Sequence, residues 1–218
     1  MGNSKNNQSH SWLKGASTKS EDIEQYYDAW AKEYNEDLKN WEYQAPIEAA
    51  KLLRKVTPRS IKILDAGCGT GLTGIALKEC GYSDIFGIDI SNESIHLAKK
   101  TSVYSGLQQL DLQRQPFPFN LNEFGAVICI GVLTYISDPV SLFKEFCRIV
   151  HPGGYIVFTH REDLVDSSNY PKIVKELERK NYWNKLLISE PKPYLPTNKD
   201  FSDEIKVIYH VFRVSIEK

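Results

Sequence analysis

Short apolar runs alternate with amphipathic stretches along the chain from Ser60 onward. The runs have the length of strands, and the stretches between them carry apolar residues at helical spacing. This alternation is typical of β-α-β units and predicts an α/β fold with a parallel sheet. The predicted parallel strands cover residues 61–65, 85–88, 107–110, 126–130 and 155–160, and two further runs, 186–188 and 207–212, predict a final pair of strands.

The first twenty residues have a different composition from the rest. Residues 1–20 are mostly polar and small, which predicts a disordered tail ahead of a single domain over residues 21–218. Thr18 and Glu21 have the spacing of a helix capping box, so we expect order to begin near this point.

Residues 21–57 are predicted to form two helices ahead of the first strand. The first of them carries aromatic side chains at helical spacing. We expect Ile23 and Tyr26 to pack this helix onto the domain. Trp30 and Tyr34 are candidates to face a ligand, and the two helices would then act as a lid.

A glycine-rich turn follows the first predicted strand. Asp65 ends the strand, and Gly67, Gly69 and Gly71 follow at alternate positions. Glycine loses more backbone entropy on folding than alanine does, so three glycines together need a reason. One reason is a ligand lying against the main chain at the carboxyl edge of the sheet. The alternative is a tight strand-to-helix turn that binds nothing.

Three successive predicted strands lead into an aspartate, namely Asp65, Asp89 and Asp111. Because right-handed crossovers place the carboxyl ends of parallel strands at one edge, the three carboxylates are predicted to line one rim. Such a rim suits a ligand that carries hydrogen-bond donors and positive charge. The alternative is that each aspartate only caps the segment after it.

Charge and composition limit the classes of function. The chain has 218 residues, 41% of them hydrophobic, with 27 Lys and Arg against 28 Asp and Glu. This balance gives no general field for a phosphate backbone, so nucleic acid is not an expected partner. No apolar run is long enough for a membrane span and no leader pattern is found, so a cytoplasmic location is predicted. The four cysteines have no metal-binding spacing, and no metal is expected: Cys68, Cys80, Cys129 and Cys147.

Two ligand classes fit the glycine turn. The segment from Gly69 to Gly74 satisfies the G-x-G-x-x-G pattern of dinucleotide sites, with Asp89 about 20 residues further on. This match supports an NAD(P)-dependent oxidoreductase. Asp65, two residues before the first glycine, would repel a pyrophosphate and attract an ammonium group, which favours a different nucleotide.

The motif set resembles that of the class I S-adenosylmethionine-dependent methyltransferases. The resemblance rests on the run from Asp65 to Gly71 (DAGCGTG), on Asp89 and Asp111, and on the HPGG sequence at residues 151–154. Among these enzymes the chain resembles the methyltransferase-like proteins of the Williams-Beuren region. The resemblance implies a Rossmann-like, seven-stranded, mostly parallel sheet with helices on both faces and an antiparallel C-terminal strand. It implies S-adenosyl-L-methionine as cofactor and S-adenosyl-L-homocysteine as product.

The resemblance also assigns roles to residues along the rim. Asp65 and the main chain of Gly67 and Gly69 would receive the methionine ammonium, and Asp89 the two ribose hydroxyls. The adenine amine and ring would be bound by Asp111 and the Leu112 amide. The remaining implied contacts are Ile90 beside the base, and Ile130 and Gly131 under the methionine arm.

The methyl acceptor has the weakest signal in the sequence. Tyr135 and His160 follow the fourth and fifth strands and are candidates to face it. The segment 131–135 lacks the proline-rich signature of amino-methylating nucleic-acid enzymes, and a small molecule is the leading prediction, with a protein side chain second. A third hypothesis is a non-catalytic protein that binds the cofactor or its product. The sequence does not predict the oligomeric state.

Overall fold

Helices surround a mixed β-sheet in the computed structural model, which describes residues 10–15, 17–165, 169–201 and 205–216. The helices within these ranges are α1 (Ser20–Asn40), α2 (Ala45–Val56), α3 (Leu72–Glu79), α4 (Asn92–Lys100), α5 (Pro139–Ile149) and α6 (Tyr170–Arg179), with short 3-10 helices at His10–Leu13, Leu133–Tyr135 and Glu162–Leu164. The strands are β1 (Lys62–Ala66), β2 (Asp84–Asp89), β3 (Gly106–Gln109), β4 (Phe124–Cys129), β5 (Val150–Arg161), β6 (Trp183–Ile188), β7 (Lys192–Pro193) and β8 (Lys206–Val214).

The sheet order is β3-β2-β1-β4-β5-β8-β6, with β7 paired to β8 outside this path. Strands β1 to β5 are parallel, whereas β8 runs antiparallel to β5 and β6 runs antiparallel to β8. The predicted fold class is therefore confirmed, including the antiparallel C-terminal strand. From β1 the chain adds β2 and β3 on one side of the sheet and then returns to add β4 and β5 on the other side of β1. Open α/β sheets bind ligands beside the point between two such strands, here β1 and β4.

Both faces of the sheet are buried. Ile63 and Leu64 are neighbours in β1, and side chains alternate along a strand, so they enter two different cores. The core on one side includes Phe143 and Phe146 of α5, and the core on the other side includes Leu53 of α2. The apolar spacing of the helices therefore has the expected consequence that each helix covers one face of the sheet.

Three local predictions differ from the structure. The capping box is not formed: Lys19 is the N-cap of α1 and makes no side-chain cap hydrogen bond. The third strand ends at Gln109, so Asp111 lies in the loop after it. The HPGG sequence, predicted as a turn before the fifth strand, lies within β5, where the pairing shifts between Phe124 and Ala126. A bulge of this kind accommodates extra residues without ending the strand.

The predicted N-terminal tail is corrected for residues 10–15. Leu13 is 7% exposed, and the Trp12 ring stacks on Tyr26 at 4.0 Å and on Tyr135 at 5.3 Å between ring centroids. These apolar rings provide the burial that the polar composition of the segment does not suggest. Residues 1–9 and 16 lie outside the described residues. No helix in the described part of the chain has both the length and the apolar character to cross a bilayer.

Candidate functional site

The glycine turn after β1 folds back over the end of β2. The amides of Gly67 and Cys68 both donate to the carbonyl of Ile88, at 2.8 and 2.9 Å. Gly67 has φ +78°, and a Cβ on it would stand 2.3 Å from Cγ2 of Val132. Gly69 has φ +51°, and a Cβ there would meet no atom within 4 Å. One glycine therefore allows close packing of the turn, and the other borders open space.

That open space is part of a cavity at the carboxyl edge of the sheet, whose free space is about 650 Å³ when the part open to solvent is included. A smaller cavity lies beside it and shares Tyr34, Gly67, Gly69 and Ile130 with it. The predicted site residues that line the larger cavity are Tyr34, Gly67, Gly69, Asp89, Ile90, Asp111, Leu112, Ile130, Gly131 and Tyr135.

Asp89 is held at the cavity by two backbone amides. Its Oδ2 accepts from Gly69 at 2.8 Å and its Oδ1 accepts from Ser91 at 2.9 Å. A carboxylate oxygen has two acceptor positions, so each oxygen keeps capacity for a further donor. Burial raises the pKa of Asp89 to about 6, and the hydrogen bonds from these amides oppose that shift.

Asp111 lies at the same cavity and is bonded to the first turn of α1. Its Oδ2 accepts from the Ser20 hydroxyl at 2.7 Å and its Oδ1 accepts from the Gln113 amide at 2.9 Å. The Arg114 guanidinium is 3.2 Å from Oδ2 and is largely exposed. This carboxylate therefore connects the edge of the sheet to the helix that crosses the cavity.

The structure places Asp65 beneath the glycine turn, outside the lining of both cavities. The side chain is fully buried, and its Oδ2 accepts from the Tyr104 hydroxyl at 2.7 Å. The Oδ1 atom has no hydrogen-bond partner among the described residues. Burial raises the pKa of Asp65 to about 7, against the lowering effect of the Tyr104 hydrogen bond. Asp65 therefore lies one layer below the cavity, and its direct contact with a ligand ammonium stays a prediction.

Tyrosines of α1 and of the segment after β4 cover the cavity from the other side. Tyr27, Tyr34 and Tyr135 all line it, and the Tyr27 hydroxyl donates to the Tyr135 hydroxyl at 2.8 Å. Burial raises the pKa of each of these phenols well above its ordinary value, so all three are neutral donors at physiological pH. The first predicted helix thus contributes side chains to the lining opposite the glycine turn, and its role as a lid stays a prediction.

Comparisons with known proteins identify the family. A methyltransferase domain family matches residues 64–158. Human methyltransferase-like protein 27 is 30% identical over 171 residues, which cover 74% of this chain and 68% of that protein. The chain belongs to the class I S-adenosylmethionine-dependent methyltransferases. This membership makes S-adenosylmethionine the cofactor and decides against the oxidoreductase alternative.

Other relatives of this methyltransferase show how far the likeness extends. A ubiquinone biosynthesis O-methyltransferase of Idiomarina loihiensis is 32% identical over 107 residues, 45% of this chain and 41% of that protein. The [4+2]-cyclase SpnF has the same fold, with a TM-score of 0.71 and 17% identity over 92% of this chain and 98% of its own. The fold therefore does not determine the reaction, and the acceptor has to be argued from the site.

The cavity of the methyltransferase fits the cofactor that the family uses. The space above Gly69 admits a group close to the main chain, and Asp89 offers free acceptor positions beside it. A nucleoside carries the hydroxyl donors that such a carboxylate binds. Asp111 and Leu112 lie at the same cavity, where an adenine amine and ring nitrogen would find an acceptor and an amide.

Two predicted site residues of the methyltransferase lie elsewhere. Trp30 is 5% exposed and does not line the cavity; its indole nitrogen donates to Asp37 at 2.7 Å inside the aromatic cluster of α1. His160 is 6% exposed, its Nδ1 lies 2.8 Å from the Arg161 carbonyl oxygen, and its ring packs on Tyr170 at 4.9 Å. Both side chains are therefore buried packing residues outside this lining, and their contact with a ligand stays a prediction.

Several residues of the methyltransferase site were not predicted. Ile23 was expected to pack the helix, yet it lines the cavity with Tyr27. The segment after β4 adds Val132 and Ile136. Tyr27 had a usable signal, since it is seven residues before Tyr34 and so lies on the same helical face. The other lining residues have no sequence signal that distinguishes them from core residues. The further lining residues are Ser94, Leu110 and Gln113.

Proposed function

We propose that this methyltransferase transfers the methyl group of S-adenosylmethionine to a small molecule held beneath α1. The observation that carries the proposal is one cavity bounded by the glycine turn, by Asp89 and Asp111, and by tyrosines from the opposite side. Methyl transfer to an activated sulfonium needs mainly alignment of the nucleophile with the methyl group. A cavity with aromatic walls can supply that alignment.

The proposed roles follow from position. Asp89 accepts from the ribose hydroxyls, and the main chain at Gly67 and Gly69 lies along the amino-acid arm. Asp111 and the Leu112 amide bind the adenine, Ile90 flanks it, and Ile130 and Gly131 lie under the methionine arm. Asp65 acts from below, since its buried carboxylate contributes negative potential to the turn without reaching the cavity.

A small acceptor is favoured over a protein side chain because α1 crosses the opening. The helix contributes Ile23, Tyr27 and Tyr34 to the lining. The helix is also hydrogen-bonded to the segment after β2, where the Ser91 hydroxyl donates to Asp28 at 2.6 Å. A side chain on a folded protein would have to reach beneath this helix, whereas a free molecule can be enclosed by it.

The proposal is tested in two steps on the purified full chain. Titration calorimetry with S-adenosylhomocysteine measures cofactor binding. Transfer of radiolabelled methyl from S-adenosylmethionine is then measured with the low-molecular-weight filtrate, the protein fraction and the nucleic-acid fraction of one cell extract. Label in the filtrate alone is the expected result. Label in the protein fraction would establish the second hypothesis, and cofactor binding without transfer to any fraction would establish the non-catalytic one.

A further inference from the structure

We propose that the acceptor atom is the nitrogen of a small amine with an apolar or aromatic body, and not a hydroxyl or carboxylate oxygen. The inference rests on the proposed function and concerns which chemical class the same cavity selects. It is carried by the charges at the cavity, by the position of the basic side chains near it, and by the surfaces that the cofactor assignments leave free.

The charge of the lining is negative. Asp89 and Asp111 are the charged residues that line the larger cavity, and no Lys, Arg or His among the described residues lines it. S-adenosylmethionine carries an ammonium, a sulfonium and a carboxylate, so its net charge is one positive unit. Asp111 is paired with the Arg114 guanidinium, which lies outside the lining, whereas Asp89 has no cationic partner among the described residues, so the side chains facing the cavity are negative and none is positive. Because charges interact strongly away from bulk water, an anionic acceptor is disfavoured and a cationic one is favoured.

The nearest arginine on the tyrosine side is already neutralised. The Arg161 side chain is 5% exposed, and its Nε and Nη2 donate to the two carboxylate oxygens of Asp163 at 3.0 and 2.6 Å. Its Nη1 donates to the carbonyl of Leu13. All three nitrogens are therefore engaged within the protein, and the guanidinium is not presented to a carboxylate in the cavity.

Among the described residues of the lining, Asp89 and Asp111 are the side chains that could take a proton from a hydroxyl, and the proposed cofactor contacts place both of them against the nucleoside. His160, the imidazole predicted to face the acceptor, is buried against Tyr170 outside the cavity. The carboxylates at the cavity are tied to backbone amides and to Ser20. A hydroxyl acceptor needs a base during transfer, whereas a neutral amine already has a lone pair.

An amine makes the transfer step balance within this electrostatic setting. The amine loses its extra proton to water before it reacts, and its nitrogen lone pair then forms a bond to the methyl carbon. The carbon–sulfur bond breaks, and its electron pair stays on sulfur as a neutral thioether. Positive charge thus passes from sulfur to nitrogen and remains inside the cavity, so the negative lining suits the reactants and the products equally. The methylated ammonium finally releases its proton to solvent.

The lining residues without a cofactor assignment are suited to an apolar or aromatic amine. Tyr27 and Tyr135 offer ring faces, which attract organic cations, and their paired hydroxyls offer hydrogen bonds. Ile23, Val132 and Ile136 supply apolar surface next to them. A bulky polar or sugar-like acceptor would leave many of its own groups unpaired here.

The test uses the protein saturated with S-adenosylhomocysteine and three probes of matched shape: phenethylamine, 2-phenylethanol and 3-phenylpropionate. Titration calorimetry at neutral pH measures their binding directly. We expect phenethylamine to bind at least about tenfold more tightly than either of the others, a difference that the charge on the probe can supply. Equal or tighter binding of the alcohol or the carboxylate, or binding of none of the three, would overturn the inference. Failure to bind S-adenosylhomocysteine would instead refute the proposed function itself.

A charge substitution makes the same test within the protein. Ile136→Lys places a cation at the cavity, and Ile136→Met is the matched apolar control. We expect the lysine variant to lose the preference for phenethylamine and to gain affinity for 3-phenylpropionate, while the methionine variant keeps the wild-type order. An unchanged order in a lysine variant that still binds S-adenosylhomocysteine would contradict the electrostatic argument. The probe series on the wild-type protein decides the matter if that variant does not fold.

Discussion

Replacing Asp89 by alanine separates the cofactor role of this carboxylate from its structural role. The proposed contacts with the ribose are hydrogen bonds to a charged group, each of which is worth about 1.5–3 kcal/mol. Their loss is expected to weaken S-adenosylhomocysteine binding by roughly ten- to a hundredfold. The measurement is titration calorimetry at about pH 7.5, above the pKa of about 6 to which burial raises this carboxyl, so that the wild-type group is ionised.

The same substitution removes the acceptor of two backbone amides. Gly69 and Ser91 each lose a hydrogen bond of 2.8–2.9 Å, and an amide left unsatisfied costs about 1–3 kcal/mol. Removing a buried carboxylate also relieves its desolvation, the dominant cause of the raised pKa of Asp89. The two effects oppose each other, so the free energy of unfolding should fall by less than the loss of both hydrogen bonds suggests. Chemical denaturation measures this change independently of binding.

Ser91→Ala is the matched control for Asp89→Ala. The Ser91 hydroxyl accepts from the amide of Ser94 as the N-cap of α4 and donates to Asp28 of α1, so its removal should cost about 1–2 kcal/mol of stability. The backbone amide of residue 91 still donates to Asp89, and we expect cofactor affinity to stay within about threefold of wild type. A folded Asp89→Ala variant that binds S-adenosylhomocysteine as tightly as the wild type would refute the ribose assignment.

Three further substitutions test other parts of the site. Gly67→Ala should be strongly destabilising in thermal unfolding because its Cβ would clash with Val132. Gly69→Ala should cost only about 1–2 kcal/mol of backbone strain, yet it should abolish most cofactor binding. Equal losses of stability in the two variants would contradict this difference. Burial raises the pKa of Asp65 from its ordinary value of 3.8 to about 7, so the folded state binds the proton more tightly and stability should fall as pH rises from about 4 to 7. Asp65→Asn should flatten that slope in denaturation curves, and an unchanged slope would show that another group causes it. Trp30→Phe should lower the melting temperature through lost packing and leave calorimetric affinity for S-adenosylhomocysteine nearly unchanged, whereas a large loss of affinity would place the indole at the ligand after all.

The parts of the fold that sequence could predict are those set by local pattern. The strand that leads into Asp89 follows from an apolar run bounded by a residue with a strong turn preference, and the structure has it. The positions of Asp89 and Asp111 at one cavity follow from the rule that parallel strands share their carboxyl edge. The antiparallel C-terminal strand came from the family resemblance rather than from the pattern.

The residues whose positions differ from the sequence prediction are placed by contacts with other parts of the chain. The position of Asp65 below the turn is stabilised by Tyr104, 39 residues further along the chain. His160 is at the end of β5, as predicted, but β8 and Tyr170 cover that position from outside. Trp30 and Tyr34 share one helical face, but the indole lies in the aromatic cluster, where it donates to Asp37 and packs on Trp41. None of these partners has a signal in the local sequence.

The hydrogen bonds that attach α1 to the segments after β2 and β3 have a kinetic consequence. Ser20 donates to Asp111, and Asp28 accepts from Ser91, so the first turns of the helix are fastened by polar contacts that water can replace. The aromatic cluster nearer its middle is apolar and does not gain from hydration in this way. We therefore expect the turn of α1 ahead of Tyr26 to move away from the sheet while the part within the aromatic cluster stays in place, and the residence time of S-adenosylhomocysteine to follow that movement. Turnover would then be limited by product departure, as it is in many enzymes with a mobile cover.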